Sequence, residues 1–221
     1  ALKAVADVDS RVNARSVGFA LGPRLNAAGR LGKADSGFHL LTSFDLKEAK
    51  ELALKLDAIN QERKNIQEQV QDEVDYLIGR EVDLEKDRVI VLASENFHSG
   101  VVGIVASRIV DKYFRPVVLI ALENGIGKGS GRSTPHFNLH RAFIDCANHL
   151  VQFGGHAYAA GLTIDEDRVD SFRNAINEVG RRILSKDKML PELFLDMPLE
   201  VSEINEALYK QIICMEPFGA E

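Results

Sequence analysis

Residues Gly127–Ser133 read G-K-G-S-G-R-S and follow a strongly apolar run, Pro116–Leu122. The stretch holds three glycines, two serines, one lysine and one arginine. Glycine lets the backbone approach a ligand closely, and backbone N–H groups, hydroxyls and a guanidinium are donors that suit a phosphate oxygen. The stretch therefore predicts either a grip on a backbone phosphate or a glycine-rich hairpin whose Lys128 and Arg132 are solvated.

The sequence on both sides of this stretch predicts a compact α/β unit over 83–187. Arg88–Ala93 has the composition of a buried strand, Gly100–Tyr113 has helical spacing, and Val117–Leu122 reads as a second strand. This order and spacing favour a parallel crossover. Further along we expect a helix over 139–150 that ends at Gly154-Gly155-His156, a strand within 157–164, and a helix over 166–184 capped by Asp165.

A long helix is predicted ahead of this unit. Asp45 is positioned to cap a helix that begins at Leu46, with Glu48 completing a capping box and Gly79 as a plausible stop. Apolar residues recur every three or four positions, and the helix would be roughly 50 Å long at 1.5 Å per residue. A helix of this length typically bridges two bodies or forms a coiled coil.

The two ends of the chain carry weaker patterns. Gly22 and Pro23 predict a break in regular structure, followed by a closely packed Ala27-Ala28-Gly29. Near the other end, alternating apolar residues predict a strand over 194–201, and a short helix is expected over 203–213.

Composition limits the classes of function. The 221 residues are 45% hydrophobic and 27% charged, with a net charge of −6, so bulk electrostatics do not favour nucleic acid and phosphate binding must be local. No apolar run approaches the ~20 residues of a membrane span, and Ala1–Ser10 lacks the features of a signal peptide. Cys146 and Cys214 stand in apolar surroundings, which predicts reduced thiols and a cytoplasmic protein.

Two histidines lie in glycine-rich surroundings. His98 stands between the first strand and the following helix, near Gly100 and Gly103, where a helix N-terminus favours anions. The alternative is a bystander histidine beside a capping Ser99. His156 follows two glycines and precedes Ala-Tyr-Ala-Ala-Gly, so both a structural and a ligand-facing role stay open.

Other chemistry-bearing patterns are weak. His136 and His140 are spaced i, i+4 but lack the acidic residue of a His-Glu-x-x-His metal site, and Asp7-Val8-Asp9 is read as a solvated turn. Lys128 is followed by glycine, so no Walker A motif is present. Parts of a phosphate cradle are therefore predicted without the carboxylates needed for metal-assisted hydrolysis.

Four stretches together resemble the RecJ single-stranded-DNA exonucleases of the DHH phosphoesterase superfamily. They are G-P-R-L-N-A-A-G-R-L at 22–31, H-S-G-V-V-G-I-V-A-S-R at 98–108, G-K-G-S-G-R-S at 127–133 and G-G-H-A-Y-A-A-G at 154–161. The closing E-P-F-G at 216–219 resembles the start of that family's OB-fold. The chain departs from the family in one place, because Phe97 stands where Trp is common, and we expect this to alter packing but not chemistry.

The resemblance implies a fold class and a domain layout. We expect an α/β protein in which a long linker helix is followed by a compact DHH-associated domain with a mixed central sheet. The implied segments are 1–45, a connection from a DHH domain; 46–80, the linker helix; 81–187, the DHH-associated domain; and 188–221, the start of the OB-fold. The chain is then expected to be part of a longer protein whose DHH domain binds two Mn²⁺ or Mg²⁺ ions, with no metal or catalytic residue in this part.

The resemblance also implies roles for particular residues. Ser130, Arg132 and Ser133 are implied to hold the 5′-terminal phosphate or nearby backbone, and Arg30 to approach the same end from the linker side. His156, with Gly154 and Gly155, would face the metals from the substrate side. In addition, His98 would support that wall, whereas Arg24 and Asn26 are expected to be local scaffolding.

The implied activity is 5′→3′ hydrolysis of single-stranded DNA in repair and recombination. The DNA strand, a single-strand-binding protein and a helicase are the implied partners, and no membrane is involved. Two alternatives stay open at this point: a related DHH phosphoesterase that acts on short oligonucleotides or cyclic dinucleotides, and a non-catalytic nucleic-acid-binding module.

Overall fold

The computed structural model describes residues 1–8, 11–193 and 195–218 and divides into two units. The first comprises Ala1–Gln61 together with Glu192–Glu221, and the second comprises Glu62–Pro191. Asp9, Phe194 and Gly219 lie outside the described residues, so the predicted Asp7-Val8-Asp9 turn, the start of the predicted strand over 194–201 and the end of the E-P-F-G stretch fall partly there. No described helix is long and apolar enough to cross a membrane.

The first unit is helical. Its elements are α1 Leu2–Val5, α2 Ala14–Ser16, a π-helical turn Val17–Leu21, α3 Gly22–Leu31, α4 Asp35–Thr42 and the first part of α5 Leu46–Glu81, followed late in the chain by a 3₁₀ turn Val201–Glu203 and α9 Glu206–Ile213. Ala28, Leu40, Ala53 and Leu56 form its buried core.

The expected break at Gly22-Pro23 is wrong, because both residues belong to α3. Proline is tolerated in the first turn of a helix, where its missing N–H has no intrahelical partner to lose. The predicted close packing is confirmed, since Ala27 and Ala28 are buried.

The long helix is confirmed and continues to Glu81, two residues past the expected stop at Gly79. Asp45 caps it, because its Oδ1 accepts from the backbone N–H of Lys47 at 2.9 Å. The expected capping box differs in detail. Glu48 accepts from the hydroxyl of Ser43 at 2.5 Å, and that same serine oxygen accepts from the Asp45 N–H at 3.2 Å.

The second unit contains a five-stranded mixed sheet. Its elements are the rest of α5, then β1 Ile90–Ser94, α6 Val102–Tyr113, β2 Val117–Glu123, β3 Ile126–Arg132, α7 Leu139–Asp145, β4 Gln152–Gly155, β5 Ala159–Asp165 and α8 Val169–Ile183, with 3₁₀ turns at Ala147–His149, Glu166–Arg168 and Asp187–Met189. The strand order is β1-β2-β3-β5-β4. Only the β1–β2 pair is parallel, as the crossover pattern predicted; the other pairs are antiparallel.

Each face of this sheet has its own cover. One face packs on α7 and α8 through a core that includes Val118, Ile120, Leu162, Ile164, Phe143 and Phe172. The opposite face of β2 and β3 packs on α6, whose Val102, Val105, Ala106 and Ile109 are buried. The predicted fold class, α/β with a long helix and a mixed sheet, is therefore confirmed.

Three local predictions are wrong in detail. Gly154 and Gly155 were expected to break regular structure, but they lie in strand β4. Backbone pairing with β5 holds them there, and the local sequence does not predict that pairing. Asp165 does not cap the next helix through its side chain, which instead pairs with Arg168 at 3.5 Å. The described part of the predicted 194–201 strand, 195–200, is irregular and exposed because no neighbouring strand pairs with it there.

Candidate nucleic-acid interface

Strand β3 separates the G-K-G-S-G-R-S stretch into two sets of residues, because successive side chains of a strand point to opposite faces. A Cβ on Gly127, Gly129 or Gly131 would lie 2.5 to 2.8 Å from Ile120, Leu162 or Leu139 side-chain atoms. These glycines therefore make room for the core on the α7–α8 face. Lys128, Ser130 and Arg132 occupy the opposite face.

Ser130 and Arg132 come together beside the first turn of α6. Arg132 Nη1 donates to Ser130 Oγ at 2.9 Å and to the Gly131 carbonyl at 2.7 Å. A Cβ on Gly103 would lie 2.8 Å from Arg132 Nη2 and 2.9 Å from Ser130 Oγ. Glycine at 103 thus lets a guanidinium and a hydroxyl reach the positive end of a helix dipole, a combination suited to an anion.

Ser133 is part of the turn that follows β3. Its hydroxyl donates to the Phe137 carbonyl at 2.6 Å, and its N–H donates to the Tyr158 carbonyl at 3.0 Å. These bonds tie the segment after β3 to the segment before β5. In this conformation the Ser133 hydroxyl proton is used within the protein, whereas the Ser130 hydroxyl accepts from Arg132 and donates to none of the residues that the structure describes.

His98 shapes the loop that leads into α6. Its Nδ1 accepts from the Gly100 N–H at 3.0 Å, and its carbonyl accepts from the N–H groups of Val101 and Val102. Val101 is the N-cap of α6 and makes no side-chain cap hydrogen bond, so the capping role weighed for Ser99 is not found, and His98 instead orders the loop ahead of the helix. Because Nδ1 is an acceptor here, the neutral ring carries its proton on Nε2, on a side chain that is half-buried.

Beside Ser130 the sheet has a floor without side chains. Ser130 pairs with Gly161 across β3 and β5, and Gly161 pairs with Gly154 across β5 and β4. A Cβ on Gly154 would have nothing within 4 Å, and one on Gly161 would meet only the Gly129 carbonyl oxygen at 3.7 Å. Both glycines are exposed, so a polymer backbone is able to lie directly against the strands.

Gly155 and His156 end this floor. Gly155 has φ +144°, and a Cβ there would lie 2.4 Å from the Ala159 carbonyl oxygen, so only glycine fits. His156 is exposed, its N–H donates to that same carbonyl at 2.8 Å, and its ring stands edge-on to Tyr158 at 6.5 Å. Tyr158, 55% exposed, is a stacking surface that sequence reasoning missed.

The arginines of α3 have different environments. Arg24 donates to Asp57 Oδ1 at 2.7 Å and to the carbonyls of Ala20 and Val5, which is the scaffolding role expected of it. Asn26 and Arg30 are exposed, Arg30 in the last turn of the helix. All belong to the first unit, and a DNA-binding role for Arg30 stays a prediction.

Glu73 anchors the loop before His98, and no sequence motif marks it. Its Oε1 accepts from Ser94 Oγ and from Asn96 Nδ2, both at 3.3 Å.

The Asn124-Gly125 dipeptide, by contrast, is a sequence signal for a tight hairpin turn. Both residues have positive φ, 52° and 79°, as a two-residue hairpin turn between β2 and β3 requires.

Within the described residues, no group of three or more His, Cys, Asp or Glu side chains is arranged to hold a metal ion. His136 and His140 are half-buried residues flanking the start of α7. The described residues therefore do not form the set of oxygen ligands that a divalent ion such as Mg²⁺ requires.

Comparison with known proteins gives a consistent result. The DHHA1 domain family matches residues 86–181. The chain is 37% identical over 209 residues to the single-stranded-DNA-specific exonuclease RecJ of Bacillus subtilis, covering 94% of this chain and 26% of that protein. It thus spans about a quarter of that relative's length, and up to 40% of the other RecJ proteins that it matches.

Solved structures agree. The crystal structure of Thermus thermophilus RecJ in complex with Mg²⁺ superposes with a TM-score of 0.83 at 30% identity, covering 98% of this chain and 33% of that one. A crystal structure of exonuclease RecJ bound to manganese superposes with a TM-score of 0.71 at 34% identity, covering 82% of this chain and 44% of that one. Residues 86–181 match the DHHA1 domain family, within a chain that is similar over nearly its whole length to part of the RecJ exonucleases.

Proposed function

We propose that the second unit holds the 5′ end and backbone of single-stranded DNA for a RecJ-like 5′→3′ exonuclease acting in DNA repair and recombination. The observation that carries the proposal is the meeting of Arg132, Ser130 and Gly103 beside the bare floor of Gly161 and Gly154. A charged donor, a hydroxyl and a helix N-terminus suit a phosphate. The floor leaves room for the DNA backbone that follows this phosphate to lie flat against the strands.

The remaining residues of the proposed site act on the strand in supporting ways. His156 and Tyr158 offer exposed rings on which a base stacks without regard to sequence. Ser133 and His98 hold the loops on either side of the phosphate site in place. Arg30, in the first unit, is proposed to bind DNA phosphate.

Hydrolysis is proposed to occur in the longer protein. RecJ structures are described in complex with Mg²⁺ and bound to manganese, and such ions are proposed to be held by residues outside this chain. When bound, such ions activate water and stabilise the leaving oxygen, so the residues described here need only fix the scissile phosphate in position. A single-strand-binding protein and a helicase as partners, and the cytoplasm as location, belong to the same proposal.

The test compares DNA binding by the wild-type chain and by Arg132→Ala. Binding of a fluorescent single strand is measured by anisotropy with a 5′ phosphate and with a 5′ hydroxyl. A charge-assisted hydrogen bond contributes about 1.5–3 kcal/mol, so we expect Arg132→Ala to weaken binding of the phosphorylated strand by at least about tenfold.

The control variant is Arg141→Ala, which removes an exposed arginine of α7. It is expected to bind both strands as the wild type does. If Arg132→Ala weakens the phosphorylated and hydroxylated strands equally, Arg132 does not hold the 5′ phosphate and that role is wrong.

A further inference from the structure

A groove of about 640 Å³ lies next to the proposed phosphate site, within the second unit. One wall is the loop after β1, with Glu95, Phe97, His98 and Ser99, and the other is the β2–β3 hairpin, residues 121–128. Its charged lining residues are Glu95, Glu123 and Lys128.

The lining favours a neutral, flat ligand that has both donors and acceptors. Lys128 supplies N–H donors, whereas Glu95 and Glu123 supply acceptors, and two carboxylates beside one ammonium disfavour a bare phosphate. These three side chains take part in none of the ion pairs or hydrogen bonds found among the described residues, so their polar atoms face the groove or solvent. Ala121, Leu122 and Ile126 add apolar surface for a ring.

The groove adjoins the phosphate site through β3 and through the loop before α6. Lys128, Ser130 and Arg132 alternate on one face of the strand, and four residues of strand span about 13 Å. His98 lines the groove, and the helix that follows it brings Gly103 against Ser130 and Arg132. One short stretch of a single strand is therefore able to contact both places.

We propose that this groove is a nucleobase subsite that favours bases with an exocyclic amino group. Lys128 donates to a ring nitrogen or carbonyl of the base, and Glu95 or Glu123 accepts from its amino group, as carboxylates do from cytosine. Adenine, cytosine and guanine carry that amino group and thymine does not. The inference rests on the proposed function, because the phosphate at Arg132 and Ser130 brings the base to the groove.

The experiment uses the full chain and 5′-phosphorylated oligothymidylates. Single dA, dC or dG substitutions are placed in turn at each of the first few positions from the 5′ end, and affinity is measured by anisotropy. At one of these positions we expect an amino-bearing base to bind about tenfold more tightly than thymine. The preference should disappear in Lys128→Met and in the double variant Glu95→Gln, Glu123→Gln.

Lys86→Met removes an exposed lysine of the same unit that lies away from the groove and should keep the preference. Loss of the base preference with retention of the 5′-phosphate preference in Lys128→Met supports the subsite. Equal affinity for all four bases in the wild type, or a preference that survives Lys128→Met, overturns it and leaves the phosphate site standing. A wild-type chain that shows the base preference but binds 5′-phosphate and 5′-hydroxyl strands equally points instead to failure of the proposed function.

Discussion

At the scale of single residues, Gly103 has the most specific role. It is buried in the first turn of α6, and the three atoms nearest to a side chain there would be side-chain atoms of Arg132 and Ser130. Both obstructing groups are flexible ends, so a methyl group there displaces the proposed phosphate ligands without breaking the fold. Stability and binding are thus separable at this position.

We expect Gly103→Ala to leave the free energy of unfolding unchanged or up to about 1 kcal/mol higher, because alanine favours a helix over glycine by that amount. Affinity for 5′-phosphorylated single-stranded DNA should fall severalfold. Urea unfolding and anisotropy measure the two effects. Gly79→Ala is the matched control, since a Cβ there has nothing within 4 Å, and it should gain stability without any change in binding.

The two cysteines differ in reactivity. Burial, and then the charge of Asp145, raise the pKa of the Cys146 thiol to about 11, whereas Cys214 is exposed. At pH 8 we expect iodoacetamide to modify Cys214 quickly and Cys146 only after denaturant is added. Cys214→Ser should therefore show no fast labelling. Two fast thiols in the native wild type would contradict this.

At the scale of elements, an ion pair joins α5 to α6 in the second unit. Lys112 Nζ donates to Asp75 Oδ1 at 2.7 Å. Burial raises the pKa of Asp75, but hydrogen bonds from Lys112 and Gln71 outweigh it and hold that pKa below its ordinary value. A carboxyl with a lowered pKa stabilises the fold above its unfolded-state pKa, and the contribution is lost as the pH falls through the folded-state pKa.

Asp75→Asn keeps an acceptor for Gln71 and removes the charge. Because both partners are partly exposed, we expect a loss of about 0.5 kcal/mol in the free energy of unfolding at pH 7, shrinking towards zero at about pH 3. Urea unfolding at the two pH values measures it. Asp111→Asn, on the exposed side of α6, should show neither effect. A loss that persists undiminished at the lower pH would exclude the ion pair as its cause.

Elements with strong local patterns were predictable, and those formed by distant partners were not. The long α5, the β1–α6–β2 crossover and α8 follow from apolar spacing. Strand β4 was missed because Gln152-Phe153-Gly154-Gly155 has little strand propensity and pairs only because β5 lies beside it. The groove could not be read from the sequence either, since its two walls are brought together only by the fold.

At the scale of the whole molecule, binding and hydrolysis are expected to separate. The described residues include no cluster of metal ligands, yet they place the Arg132–Ser130 pair beside an open floor. We expect the 221-residue chain to bind 5′-phosphorylated single-stranded DNA with Mn²⁺ present but to release no nucleotides from it.

Nucleotide release from a radiolabelled strand measures this, with Thermus thermophilus RecJ as the positive control. Nucleotides released by the wild-type chain, and lost in Arg132→Ala, would show that it carries its own hydrolytic residues. Release that persists in Arg132→Ala would show the same. It would also show that hydrolysis does not depend on the proposed phosphate site.

The two faces of strand β3 restrict sequence change in related proteins differently. At its odd-numbered positions, Gly127, Gly129 and Gly131, any side chain would clash with the core. Its even-numbered positions, Lys128, Ser130 and Arg132, carry their side chains on the other face. Selection on ligand preference is therefore able to change the even positions without compensating changes in the core on the α7–α8 face. Among related chains, we expect variation to alternate along this strand, with the glycines constant and their neighbours recording differences in substrate.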